Sequence, residues 1–127
     1  MPKKEMTRRI LSAVRNPYVA IIAHPTGRIL GRRESYELDL DKIMKEAKKT
    51  GTILELNAFW NRLDLNDINL RLAKEKGVRI AISTDAHNVM ELDIIKYGIS
   101  QARRGWLEAK DVVNTLPFEK LKKILKK

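Results

Sequence analysis

Three short apolar runs recur about 30 residues apart, and this spacing constrains the fold more than any other feature of the chain. The runs cover residues 18–24, 52–57 and 78–85, and they are rich in Ile, Val and Leu. Runs of this kind, separated by helix-length segments, are typical of strands joined by helical crossovers. The pattern therefore predicts an α/β fold with about three parallel strands and right-handed connections.

Helical signals fill the segments between these runs. Apolar residues at positions 40, 43, 44 and 47 form one stripe, with Asp39 or Asp41 available as a cap and Gly51 just past the end. The other predicted helices cover residues 4–15, 66–76 and 90–104, with a last, basic helix opening at Pro117.

Composition limits the chemistry that the chain can perform. A net charge of +10 over 127 residues favours phosphate-rich partners such as nucleic acid, although many of the lysines also suit a solvated surface. The absence of cysteine excludes a thiolate metal site, so any metal must be held by His, Asp and Glu. The longest apolar run, at 19–23, is too short for a membrane helix, and we expect a cytoplasmic protein without a membrane partner.

All three predicted strands end in polar sequence, which reads "AHPTGRILGRR", "LELNAFWNRLD" and "STDAHN". Functional side chains of α/β folds collect where parallel strands end. His24, Asp85 and His87 are therefore the candidate metal ligands, and two imidazoles with a carboxylate suit zinc, manganese or iron better than magnesium. The plain alternatives are an Asx turn at Asp85, a helix-capping or solvated His87, and a buried, hydrogen-bonded His24.

Residues two apart in a strand share a face, so alternation divides the strand side chains into two sets. An apolar set is predicted to pack against helices: Val19, Ile21, Leu54, Leu56, Ile80 and Ile82. A more polar set includes Ile22, His24, Glu55, Asn57 and Asp85. Three strands cannot close a barrel, so we expect this second face to be covered by another chain, a second copy or a missing segment.

Several further side chains accompany the candidate ligands. The loop after His24 carries three arginines that could bind phosphate bidentately, or could form a flexible basic surface loop: Arg28, Arg32 and Arg33. Glu55 is a supporting base or a core partner of Arg79, and the structural role is favoured. Asn57 could bind substrate or cap the loop. Both tryptophans, at positions 60 and 106, are predicted to be packing anchors.

At these residues the chain resembles the C-terminal part of the PHP (polymerase and histidinol phosphatase) domain, as found in bacterial and archaeal family X DNA polymerases. The resemblance rests on "AHPTGRILGRR", "GTILELNAFWNRLDL", "LAKEKGVRIAISTDAH" and "YGISQARRGWLEAKDVVNTLP". It implies a distorted α/β barrel that binds two or three metal ions, usually manganese or zinc, and hydrolyses phosphate esters. In the polymerase-linked members it implies 3′ to 5′ exonuclease and 3′-end processing activity in DNA repair.

The resemblance also implies roles for particular positions. His24 matches the metal ligand of the family's AHP motif, Asp85 and His87 match its closing DAH motif, and Glu55 and Asn57 occupy an E-x-N strand near the metals. The family's opening H-x-H motif, its next histidines and its bridging glutamate are not found here, and no catalytic residue is assigned. Residues 1–127 are thus expected to be the last three units of a seven-unit barrel, whose ability to retain manganese or zinc stays open.

Three hypotheses follow from the sequence. The chain is part of a metal-dependent phosphoesterase that acts on DNA or another phosphate ester and is completed by an N-terminal PHP segment or by a second copy in a homodimer. Alternatively, it is a non-catalytic basic module that binds DNA or a protein through its arginines at 28, 32, 33, 103 and 104. The third hypothesis is a stable subdomain without activity.

Overall fold

Three parallel strands lie at the centre of the fold in the order β1-β2-β3, in a computed structural model that describes residues 1–125. The strands are β1 (Ile21–Ile22), β2 (Ile53–Asn57) and β3 (Ile80–Ser83). Both neighbouring pairs are parallel, and helices occupy the connections between the strands. The predicted α/β class is confirmed, and the three strands form an open sheet, as expected of a partial barrel.

Within the described residues the strands are accompanied by α-helices and by short 3₁₀ segments. The α-helices are α1 (Lys3–Arg15), α2 (Leu40–Thr50), α3 (Asp67–Lys76), α4 (Ile95–Arg104) and α5 (Phe118–Leu125). The 3₁₀ segments are Val89–Ile94, Ala109–Asp111 and Val113–Thr115. The predicted helices are confirmed, except that the one placed at 90–104 begins as a 3₁₀ segment. No helix in this part of the chain is long and apolar enough to cross a membrane.

The caps of α2 show how local sequence sets the helix ends. The Asp39 side chain accepts a hydrogen bond from the backbone N–H of Lys42 at 3.1 Å, which satisfies a donor that the first turn leaves free. Gly51 ends the helix with φ of 78°, a conformation that residues with a Cβ rarely adopt. Between these caps the predicted apolar stripe is buried: Ile43, Met44 and Ala47.

β1 is much shorter than the predicted strand at 18–24, because the chain turns on both sides of it. Tyr18 lies in a turn and is 95% exposed, and His24 departs from the extended conformation of the strand with φ of 28°. The register places Ile22 beside Leu54 and Ile21 beside Ile53. The assignment of strand faces is therefore right for β2 and β3 but wrong for β1, where it is shifted by one residue. Two adjacent isoleucines offer no alternation from which the phase could be read.

The C-terminal segment covers part of the face that was expected to need a partner. Ile53 and Ala81 pack in a second apolar cluster with Val113 of the last 3₁₀ segment. Further apolar side chains pack against this cluster, two of them from α5: Leu116, Leu121 and Ile124. The expectation that this face is covered only from outside the sequence is wrong for the part of the face formed by Ile53 and Ala81. The residues that follow α4 reach back across the sheet.

The outer edge of β3 is occupied as well. Ile80 forms a parallel bridge with Val112, and the side-chain amide of Asn114 bonds both backbone groups of Ile82 at 2.9 Å. An amide that accepts from an N–H and donates to a C=O takes the place of a neighbouring strand. Among the described residues, β1 pairs only with β2, so its outer edge remains available.

Candidate functional site

The candidate metal ligands lie where β1 and β3 end, and each is connected to β2. His24 follows β1 by two residues and is half-buried. Its backbone N–H donates to Oε2 of Glu55 at 2.6 Å. Glu55 is buried within β2, at 8% exposure. The pairing of Glu55 with Arg79 that the sequence suggested is not formed among residues 1–125, and the carboxylate instead fixes the chain direction at His24.

Asp85 is joined to β2 through its side chain. Its Oδ2 accepts a hydrogen bond at 3.1 Å from Nδ2 of Asn57, whose own oxygen accepts from the backbone N–H of Phe59 at 3.0 Å. Asn57 is 1% exposed, so this amide is held firmly by its surroundings. The amide therefore sets the orientation of the Asp85 carboxylate and of the loop that follows β2.

His87 is exposed and lies edge-on to the ring of Phe59, with ring centroids 6.4 Å apart. It does not cap the following 3₁₀ segment. That role belongs to Asn88, whose side chain accepts from the backbone N–H of Glu91 at 3.1 Å. The His87 side chain is thus left available at the rim of the sheet.

Two of the three candidate ligands have unusual backbone conformations. His24 has φ of 28° and Asp85 has φ of 55°, both in the region that side chains with a Cβ disfavour. Such conformations cost of order 1–3 kcal/mol each and occur most often at functional sites. Each of these residues is tied to β2, by way of Glu55 or Asn57, which supplies the interactions that maintain the strain.

His24, Asp85 and His87 are residue types that commonly bind transition metals, but their side chains are not arranged around a common point. One carboxylate and two imidazoles are suitable ligands for manganese or zinc. Among residues 1–125, however, no three His, Asp or Glu side chains are placed together so that they could hold an ion. A complete site therefore requires either additional ligands or a rearrangement of His24 and His87 toward Asp85.

The three loop arginines differ in what their guanidinium groups contact. Arg28 donates from Nε to the carbonyl of Arg62 at 2.7 Å and also bonds the carbonyl of Leu63. Arg33 donates to the carbonyl of Gly27 at 2.8 Å. The Arg32 side chain makes no hydrogen bond or ion pair with the described residues, and it is exposed. Of the three, Arg32 is thus the most accessible to an anion.

Sequence reasoning missed Asp64, a fully buried carboxylate that anchors the loop after His24. Its Oδ2 accepts from the backbone N–H of Thr26 at 3.1 Å and of Gly27 at 2.9 Å. Burial raises the pKa of the Asp64 carboxyl, although these bonds and the charge of Arg28 act in the opposite direction. The only signal in the sequence is an acidic residue between two leucines, at 63 and 65, where a solvated side chain is not expected.

Comparisons with known proteins place this geometry in context. No protein-family profile matches the chain. It is 32% identical over 126 residues to a probable phosphatase of Thermoanaerobacter sp. (strain X514), covering 94% of this chain and 49% of that protein. A probable phosphatase of Caldanaerobacter subterraneus is 33% identical over 87 residues. Both of these relatives are thus named as probable phosphatases.

A higher identity, 46% over 126 residues, relates the chain to the DNA polymerase/3′-5′ exonuclease PolX of Bacillus subtilis (strain 168). The match covers 99% of this chain but 22% of that protein. The chain thus spans about a fifth of PolX and about half of the first phosphatase. Both names denote cleavage of phosphate esters, so the similarity connects the chain with a phosphoesterase-related group.

Proposed function

We propose that residues 1–127 are the C-terminal portion of a PHP domain and supply His24, Asp85 and His87 to a metal-dependent phosphoesterase site. The activity proposed is 3′ to 5′ exonuclease and 3′-end processing of DNA, as in DNA repair. The higher identity to PolX, 46% against 32% for the probable phosphatase of Thermoanaerobacter, supports this activity.

The observation that carries the proposal is the connection of both strained ligands to one strand. Glu55 and Asn57 lie two positions apart on the same face of β2, and they bond His24 and Asp85 respectively. A buried carboxylate and a buried amide at these positions fix the direction of the two candidate ligands, as groups outside a metal's coordination shell commonly do. This is the role proposed for both residues.

A bound manganese or zinc ion would lower the pKa of water and polarise the phosphate ester. The chain's own part is to orient the ligands and to bind the substrate anion. Arg32 offers an accessible guanidinium for phosphate oxygens, while Arg28 and Arg33 hold the loop that presents it. Asp64 maintains the same loop through its bonds to the two backbone N–H groups.

The remaining ligands are proposed to come from a complementary segment that adds a parallel strand to β1. Val112 and Asn114 occupy the outer edge of β3, whereas the outer edge of β1 pairs with nothing among the described residues. A second copy of the chain in a homodimer is the alternative source. A parallel strand added to β1 would bring the side chains at its C-terminal end next to His24.

Metal binding tests the ligand assignment without depending on catalysis. Isothermal titration with Mn²⁺ and Zn²⁺ of the 127-residue chain mixed with the complementary segment is expected to detect binding that is weakened when the chain carries His24→Ala, Asp85→Asn and His87→Ala together. Asp93→Asn is the matched control, because Asp93 is an exposed carboxylate in the following 3₁₀ segment. Equal binding by the wild type and the triple variant would show that these residues are not ligands.

Activity is tested on a DNA strand labelled at its 3′ end, with Mn²⁺ and with the complementary segment added as a second polypeptide. Little cleavage is expected from the chain alone, and more when the segment is present. Full activity of the isolated triple variant would contradict the proposed site.

A basic groove between α1 and α2 favours a second candidate function, that of a DNA-binding module without catalysis. Its volume is about 530 Å³, and α1 contributes most of its cations: Lys3, Lys4, Arg8 and Arg15, joined by Lys42 of α2. Only one carboxylate, Asp39, lines the same groove. This function predicts salt-dependent DNA binding that persists with a chelator and weakens when Lys3, Lys4 and Arg8 are changed to Gln. The same three changes at Lys120, Lys122 and Lys123 of α5 are the matched control for net charge.

A further inference from the structure

Trp60 presents an exposed aromatic surface beside the candidate site, contrary to the expectation that it is a packing anchor. Its ring stacks on Phe59, with centroids 4.1 Å apart and planes inclined by 26°. Phe59 packs against the main core, whereas 58% of Trp60 is exposed. An indole held against an anchored ring, with much of its surface in water, is an available stacking surface.

The loop that carries this pair is firmly held. The backbone N–H of Phe59 donates to Asn57 at 3.0 Å, and the carbonyl of Phe59 accepts from Arg62 at 2.9 Å and from Leu63 at 3.1 Å. The loop also returns to β2, where Asp64 and Asn57 form an antiparallel bridge. A ligand that stacks on Trp60 would therefore need to order little of the protein, which favours binding.

The stacking surface adjoins both the candidate ligands and the arginine loop. Asn57 bonds the Asp85 carboxylate and the Phe59 backbone at once, and Phe59 lies edge-on to His87. On the other side, the backbone N–H of Leu30 in the arginine loop donates to the carbonyl of Asn61 at 2.6 Å. The loop that carries Trp60 thus adjoins groups suited to a phosphate on one side and groups suited to a metal on the other.

An exposed aromatic ring beside accessible cations is the combination by which proteins bind single-stranded nucleic acid. We propose that Trp60 stacks on the nucleobase next to the phosphate at this site, and so makes the site selective for nucleotide esters over small phosphate esters. The inference rests on the proposed function for its location at the site.

Binding to an oligonucleotide in the presence of a chelator tests the stacking role without catalysis. The probes are a short fluorescent oligothymidylate and an abasic oligomer of the same length, which keeps the phosphates and removes the bases. Trp60→Ala in the 127-residue chain is expected to weaken oligothymidylate binding by about 5- to 150-fold at low salt and to leave the abasic oligomer unaffected. Trp60→Phe, which keeps an aromatic face, is expected to recover much of the loss.

Trp106→Ala is the matched control, since Trp106 is 60% exposed but lies under the guanidinium of Arg71, 3.7 Å from its ring centroid. This variant is expected to bind oligothymidylate like the wild type. Circular dichroism shows whether each variant is folded, and only folded variants are compared.

Three results would overturn the stacking role: unchanged affinity in Trp60→Ala, an equal loss for the abasic oligomer, or no oligothymidylate binding by the wild type at low salt. The binding measurement itself can succeed or fail whether or not the proposed hydrolase activity is found. Base-dependent binding through Trp60 together with failed metal and cleavage tests would remove the hydrolase site and keep the nucleobase site. Successful cleavage with a neutral Trp60→Ala would remove only the stacking role.

Discussion

Replacing Asp64 with alanine tests whether a buried carboxylate holds the loop that follows His24. The change removes the acceptor for the backbone N–H groups of Thr26 and Gly27, both of which belong to buried residues. A buried donor left without a partner costs about 1–3 kcal/mol. Two such donors predict that Asp64→Ala lowers the free energy of unfolding by about 2–6 kcal/mol.

Asp64→Asn separates hydrogen bonding from charge. The two shortest of these bonds end on the same carboxylate oxygen, Oδ2, so an asparagine with its carbonyl in that position keeps both of them. The substitution also removes the cost of burying a charge. We therefore expect Asp64→Asn to change the free energy of unfolding by about 1 kcal/mol or less. Asp93→Ala, at an exposed position, is the control for loss of an aspartate.

The pH dependence provides an independent measurement. Burial raises the pKa of Asp64 above the ordinary value of 3.8, so the folded state binds this proton more tightly than the unfolded state. The stability that protonation contributes is complete below pH 3.8 and is lost as pH rises through the folded-state pKa. The free energy of unfolding of the wild type, relative to that of Asp64→Asn, is therefore expected to fall as pH rises from 3.8 through the folded-state pKa.

Urea unfolding followed by far-ultraviolet circular dichroism measures all of these quantities. Similar losses in Asp64→Ala and Asp64→Asn would show that hydrogen bonding to Thr26 and Gly27 is not the stabilising contribution. A wild type that gains stability relative to Asp64→Asn as pH rises from 3.8 would show that the pKa of Asp64 is lowered and refute the burial argument.

Two further substitutions test the packing around the sheet. A Cβ at Gly98 would lie 2.6 Å from Cγ2 of Ile82 and 2.7 Å from Cβ of Ala58. Gly98→Ala is therefore expected to lower the free energy of unfolding by about 1 kcal/mol or more, although alanine has the better helix propensity. Ser100→Ala on the exposed side of α4 is the control, and equal thermal midpoints for the two variants would contradict the close packing. Asn114→Ala removes the side chain that bonds both backbone groups of Ile82. The variant is expected to associate through the outer edge of β3, which light scattering would detect. A monomeric variant of unchanged stability would show that Asn114 does not protect this edge.

Local sequence alone determined the α/β class, the helices and the residue types at the strand ends. The end of α2 at Gly51 and a cap at Asp39 or Asp41 depend on contacts within a few residues, so pattern and chemistry were sufficient to predict them, and the structure selects Asp39 as the cap. The alternation in β2 and β3 could also be predicted, because large apolar residues in each strand alternate with residues that are polar or small. The resemblance to a phosphoesterase family rested on the same stretches of sequence.

Tertiary structure decided the features that depend on residues far apart in the chain. The phase of β1 came from pairing with β2, since its two isoleucines are equivalent by themselves. Asp64 reaches Thr26 across 38 positions, and Glu55 reaches His24 across 31. Such partners are selected by how the elements pack, because many buried donors could satisfy a given carboxylate. For the same reason sequence could name candidate ligands, while only packing determined that β2 holds two of them.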